Sequence, residues 1–99
     1  MNFKVGFIGV GRMGGPMARN THKAGFEVAA YDVVPAALDS LGSEGIHTAN
    51  SRAEIAAFAD VIILMLPSDD TLKETMEGED GLLGVLRPGQ IVIDMSTSK

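Results

Sequence analysis

The sequence has 99 residues, 45% of them apolar and 21% charged, with a formal charge of −5 and no cysteine. That length fits one domain, and the apolar content excludes a disordered tail. The acidic balance argues against gripping nucleic acid or an anionic membrane by bulk charge, and the missing thiols exclude disulfides, zinc–thiolate sites, iron–sulfur clusters and thiol catalysis. The opening stretch MNFKVGFIGV lacks the apolar core of a signal peptide, and no apolar run reaches the roughly 18 residues a membrane helix needs. The expectation is a cytoplasmic protein. Residues 1–50 balance four bases against four acids, so the whole charge lies in residues 51–99. Six acids fall between Asp69 and Asp80 against one base, Lys73, and read as a solvated helix face and loop.

In chain order, Phe3 to Gly9 reads as a short apolar strand ending in glycine. Met13 to Ala24 reads as a helix, with Met13, Met17, Asn20/Thr21 and Ala24 at three-to-four spacing and Gly25 as its stop. Glu27 to Tyr31 is a second strand, closed by Asp32. Pro35 opens a short helix to about Leu41. Ile46 to Thr48 is a third, weak strand. Ser51 is an N-cap with Glu54 as its capping-box partner, and that helix ends near Ala59. Val61 to Leu66 is an unbroken apolar run, suited to a central parallel strand covered on both faces, and Pro67 ends it. Asp69 to Met76 is helical, Leu82 to Leu86 a helical turn, and Arg87 to Gln90 a turn into the last strand, Ile91 to Asp94.

Strands alternating with short helices imply right-handed crossovers and a parallel sheet. The expected fold is α/β: a Rossmann-like doubly wound sheet of about five strands in the order 3-2-1-4-5. A full domain of this kind has a sixth strand, and the chain is expected to stop short of it.

Gly9-Val10-Gly11-Arg12-Met13-Gly14 matches G-x-G-x-x-G after a strand and at a helix start. Gly9 allows the tight turn, Gly11 lets backbone approach a pyrophosphate, and Gly14 lets helix and strand pack closely. Unpaired N–H groups at the helix start then face the phosphates. A tight turn without a ligand is the alternative. Asp32 at the end of the second strand can accept both ribose hydroxyls of an adenosine and would repel a 2′-phosphate. Val33, Val34 and Pro35 bring no positive charge, so NAD is expected over NADP. The alternative is an aspartate that caps the next helix. Arg12 either contacts a phosphate oxygen or faces solvent. Met13 and Met17 read as core. His22 and His47 have no acid or cysteine at metal-ligand spacing and read as structural or surface.

The run Phe7 to Asn20 resembles the N-terminal signature of the β-hydroxyacid dehydrogenase family, the 3-hydroxyisobutyrate dehydrogenase group. Met65-Leu66-Pro67-Ser68, Gly81-Leu82-Leu83 and Asp94-Met95-Ser96-Thr97 resemble its later blocks, in order. The chain departs from the family at Thr21, where a large aliphatic residue is usual, and at Thr71, where asparagine is common. The resemblance implies an NAD(P)-dependent oxidoreductase acting on small 3-hydroxy acids. By that similarity Leu66 and Pro67 line the adenosine and nicotinamide riboses, Thr71 is a cofactor contact, Thr97 sits by the nicotinamide, and Ser96 helps bind substrate. For Ser96-Thr97 an ordinary turn or helix cap is the alternative. The family's catalytic lysine lies in a glycine-and-lysine helix motif that this sequence lacks, and Lys99 does not stand in one. No catalytic residue is therefore assigned within the chain, which is expected to bind cofactor without turnover.

Two other classes remain open at this point. One is a free-standing nucleotide-binding or sensing module. The other is an assembly module, in which exposed apolar surface favours a homo-oligomer. The nearest rival enzyme class, 6-phosphogluconate dehydrogenase, tends to place a basic residue after the second strand, against Asp32-Val33-Val34 here.

Overall fold

The computed structural model describes residues 3–66, 69–77 and 81–95. Five parallel strands, β1 (Lys4–Ile8), β2 (Glu27–Tyr31), β3 (His47–Thr48), β4 (Val61–Leu64) and β5 (Ile91–Asp94), form one sheet in the order β3-β2-β1-β4-β5. The expected strand order is therefore the observed one. Among the described residues four helices connect them: α1 (Gly11–Lys23), α2 (Asp39–Ser43), α3 (Arg52–Phe58) and α4 (Asp69–Glu77). Short 3₁₀ segments at Pro35–Leu38 and Leu82–Gly84 lead into α2 and towards β5.

The strand period of two divides the core into two layers. Val5 and Phe7 of β1, with Val28 and Ala30 of β2, face Ala18 of α1 and Leu41 of α2. Ile8, Ala29, Ile62 and Leu64 face the other way, onto Ile55 and Ala56 of α3 and onto Leu82. Gly6 sits on that second face. A Cβ there would lie 2.6 Å from the Ile55 Cγ2 and 3.1 Å from the Ala59 Cβ, so its missing side chain is what lets α3 lie against β1. The sequence reading had no role for this glycine.

The helix ends follow local chemistry. Gly25 has φ +103°, its N–H donates to the His22 carbonyl, and the Phe26 N–H reaches back to Thr21. This 5→2 and 6→1 pair is a Schellman stop, as the position of Gly25 suggests. Ser51 caps α3 by accepting from the Glu54 N–H at 3.1 Å. The capping box is only half made, which corrects the expectation. Glu54 accepts instead from the Asn50 N–H at 2.9 Å and meets the His47 Nε2 at 2.6 Å. Those two partners, Asn50 first, hold its carboxyl below the usual range. His47 thus finds an acid in space that spacing along the sequence concealed.

At the other end of α3 the last-turn carbonyls have no partner within the helix. Side chains from the turn before β5 supply it. Arg87 donates to the Ala56 carbonyl at 2.9 Å, and Gln90 Nε2 donates to Ala56 at 2.6 Å and Ala59 at 2.8 Å. Between α3 and α4, the Arg52 guanidinium pairs with both Glu74 oxygens, at 2.6 and 3.2 Å. The Arg52 side chain is 9% exposed and that of Glu74 58%.

Candidate functional site

In the order β3-β2-β1-β4-β5 the chain winds one way from β1 and the other way from β4. Ligands of open α/β sheets bind at the carboxyl ends of the strands where the winding reverses. Gly9 lies at that point. Its φ is +82°, a conformation that disfavours any Cβ. Space excludes a side chain as well, since a Cβ there would stand 2.5 Å from the Met65 carbonyl oxygen and 3.0 Å from the Leu66 Cδ2. Chain reversal after β1 and close passage over the end of β4 thus both require glycine.

Two successive amides then tie this turn to the end of β2. The Gly9 N–H donates to the Tyr31 carbonyl at 2.8 Å. The Val10 N–H donates to Asp32 Oδ2 at 2.9 Å. Asp32 Oδ1 accepts the Val34 N–H two residues on, also at 2.9 Å, an Asx turn. A carboxylate offers about four acceptor positions, and these two bonds occupy one on each oxygen. One lone-pair direction per oxygen is left, which matches a vicinal diol. Asp32 does not cap the helix that follows, whose N-cap is Val34 with no side-chain cap bond; it joins the glycine turn to β2 and the loop after it.

Gly11, Arg12, Met13 and Gly14 form the first turn of α1, which starts directly after Val10. The first amides of a helix have no partner within it and present a partial positive charge to an anion. Val10 itself is buried in the core beneath the turn. Leu66, 6% exposed, packs in the other core layer with Ile8, and its Cδ2 lies 3.0 Å from where a Cβ on Gly9 would stand. Val33 and Val34, directly after Asp32, are 67% and 54% exposed. Thr71 lies in the first turn of α4. Pro67, Ser96 and Thr97 lie outside the described residues. Of the sequence-derived candidates, the structure brings Gly9, Val10, Asp32 and Leu66 to one point. That Asp32 accepts two backbone N–H bonds and so anchors the turn was not legible in the motif, although Asp32 with Pro35 three residues on is a turn signal.

This arrangement fits an adenosine diphosphate: a diol acceptor beside a helix start across a glycine turn. Among the described residues no group of three or more His, Asp or Glu could hold a metal ion, and no helix is long and apolar enough to cross a membrane.

Comparison with known proteins agrees with the fold and the cofactor class. Residues 4–99 match the family model described as the NAD binding domain of 6-phosphogluconate dehydrogenase. Mouse mitochondrial 3-hydroxyisobutyrate dehydrogenase is 44% identical over 93 residues, 94% of this chain and 28% of that protein. NAD-dependent L-serine dehydrogenase of Pseudomonas aeruginosa is 39% identical over 94 residues, 95% of this chain and 32% of that one. A solved Mycobacterium tuberculosis 3-hydroxyisobutyrate dehydrogenase with L-serine superposes with a TM-score of 0.90 at 34% identity, over 100% of this chain and 33% of its own. The chain spans about a third or less of the length of these relatives. It belongs to the family of NAD-binding domains described for 6-phosphogluconate dehydrogenase, and 3-hydroxyisobutyrate dehydrogenases are among its relatives.

Proposed function

We propose that this chain holds the adenosine diphosphate half of NAD at the ends of β1, β2 and β4, as the cofactor-binding unit of an oxidoreductase acting on a small 3-hydroxy acid. The observation that carries the reading is the convergence of Gly9, the start of α1 and the Asp32 carboxylate at the reversal of the sheet. In this reading Asp32 accepts the two ribose hydroxyls, the α1 amides from Gly11 onward meet the pyrophosphate, and Arg12 adds a contact there. Leu66 and Pro67 line the riboses, Thr71 is a further cofactor contact, and Thr97 and Ser96 serve the nicotinamide and the substrate. When bound, the cofactor supplies the hydride acceptor or donor. The chain's own part is to orient it and to keep a 2′-phosphate out.

NAD is favoured over NADP by charge. A 2′-phosphate would face the Asp32 carboxylate, with two exposed valines and no cation next to it in sequence. Hydride transfer also needs a group to move the hydroxyl proton. No residue of this sequence matches the family's lysine motif, so the chain alone binds without turnover. Some relatives are named mitochondrial, and a cytoplasmic location for this protein is part of the proposal that fractionation decides.

The test is titration of NADH and then NADPH into the chain, followed by nicotinamide fluorescence, which the absence of tryptophan leaves clear. Saturable binding that favours NADH supports the reading. Equal affinity for both cofactors overturns the role of Asp32, and no binding of either overturns the site.

A further inference from the structure

Asp32 has two partners within the chain, and both are backbone amides. Val10 N–H reaches Oδ2 across 22 residues of sequence, and Val34 N–H reaches Oδ1. The neighbouring Gly9 N–H is spent on the Tyr31 carbonyl. Val10 is thus the last residue of the turn fixed to the sheet before α1 begins at Gly11. Whatever sets the direction of the Val10 peptide sets where the first amides of α1 point. From this geometry we propose that Asp32 is a positioning residue for the glycine turn, bracing Val10 so that the start of α1 keeps its anion-receiving shape, in addition to its contact with a ribose.

The chemistry supports holding both roles at once. A bond from a neutral amide to an ionised carboxylate is among the stronger hydrogen bonds. Each oxygen keeps one acceptor direction after taking an amide. Binding a diol therefore does not require releasing Val10. Selectivity and turn geometry become coupled through one side chain: replacing Asp32 to admit a 2′-phosphate also unfastens the turn that receives the pyrophosphate. The ligand half of this inference rests on the nucleotide reading above, while the brace itself does not.

Two measurements on the 99-residue chain separate them. The first is amide hydrogen exchange in wild type, Asp32→Ala and Asp32→Asn, without ligand. The brace requires that Val10 and Val34 exchange at least about tenfold faster in Asp32→Ala, while the amides of β1 keep their wild-type rates. Asp32→Asn retains one acceptor oxygen and falls between the two. Unchanged Val10 exchange, or acceleration spread evenly through β1, overturns the proposal. The second is calorimetric binding of 2′,3′-dideoxyadenosine 5′-diphosphate, which keeps the pyrophosphate and lacks both ribose hydroxyls. If Asp32 only contacted the ribose, Asp32→Ala would bind this ligand as wild type does, and that result overturns the positioning role. A loss of about tenfold in affinity supports it. If wild type binds neither this ligand nor NADH, the nucleotide reading fails, and the exchange pattern still decides the brace.

Discussion

Replacing Gly9 with alanine tests two distinct costs, and Gly25 separates them. Both glycines have positive φ, +82° and +103°. An alanine in the left-handed region costs about 1–2 kcal/mol at either position. At Gly25 a Cβ would meet nothing within 4 Å, so this backbone cost is the whole effect. At Gly9 the added carbon would stand 2.5 Å from the Met65 carbonyl oxygen, a backbone atom held by the Met65 N–H bond to Ile8 at 2.9 Å. It cannot rotate away, so β1 and β4 must part at their ends. Forced overpacking of this kind adds about 1–3 kcal/mol. Gly9→Ala is therefore expected to lose about 2–5 kcal/mol and Gly25→Ala about 1–2. Urea unfolding followed by far-ultraviolet circular dichroism reads both. With a slope of about 1–3 kcal/mol per molar, each kcal/mol moves the midpoint by roughly 0.3–1 M. Equal shifts for the two substitutions would refute the close approach at Met65, and no shift at Gly9 would refute the turn conformation as well.

Gly6→Ala should cost about 1–3 kcal/mol by thermal unfolding, and clearly less in an Ile55→Ala background where the opposing Cγ2 is gone. Glu74→Ala should cost about 1–3 kcal/mol in urea, above the usual surface pair, because it strands a guanidinium that is 9% exposed and whose Nε has no partner among the described residues. Arg52→Met should cost less, since Glu74 then turns to water. Glu54 gives a pH signature. Its folded-state pKa is lowered by the Asn50 N–H and by His47, so the folded chain takes up its proton less readily than the unfolded one. Its stabilising contribution is complete above the unfolded value of about 4.3 and is lost as pH falls through the lowered folded value. Urea midpoints of wild type and Glu54→Gln should differ at pH 7 and converge as the solution is acidified. A constant gap down to pH 3 would contradict the pairing.

Periodicity and punctuation made most of the fold legible. The run Val61 to Leu66 reads as a central strand, Gly25 as a helix stop, and the alternation of strands and helices points to the order 3-2-1-4-5 that the sheet has. The boundaries moved by a residue or two because a strand ends where its partner's hydrogen bonds end, which no single segment encodes. The glycine turn and Asp32 were visible as a motif, yet the bond from Val10 to Asp32 was not. It depends on β2 pairing in register with β1, Ile8 opposite Tyr31, which is a property of two segments together. Gly6 was overlooked for the same reason, because its neighbour Ile55 is 49 positions away. The His47 and Glu54 pair and the Arg52 and Glu74 clamp likewise join elements that composition treats separately.

The side chains that close the C-terminal end of α3 come from residues 31 and 34 positions further along the chain. A helix of seven residues is too short to persist by itself in water. Its last carbonyls find partners only once the turn at Arg87 to Gln90 has arrived, and that turn arrives with β5, the edge strand. Detaching β5 would therefore unfasten α3 on the far side of β4, and would loosen the packing of Ile55 on Gly6. Edge strands commonly fray independently. Here the fraying of the edge is bound to the integrity of the centre, so slow-exchanging amides of β5 and α3 should open as one cooperative unit.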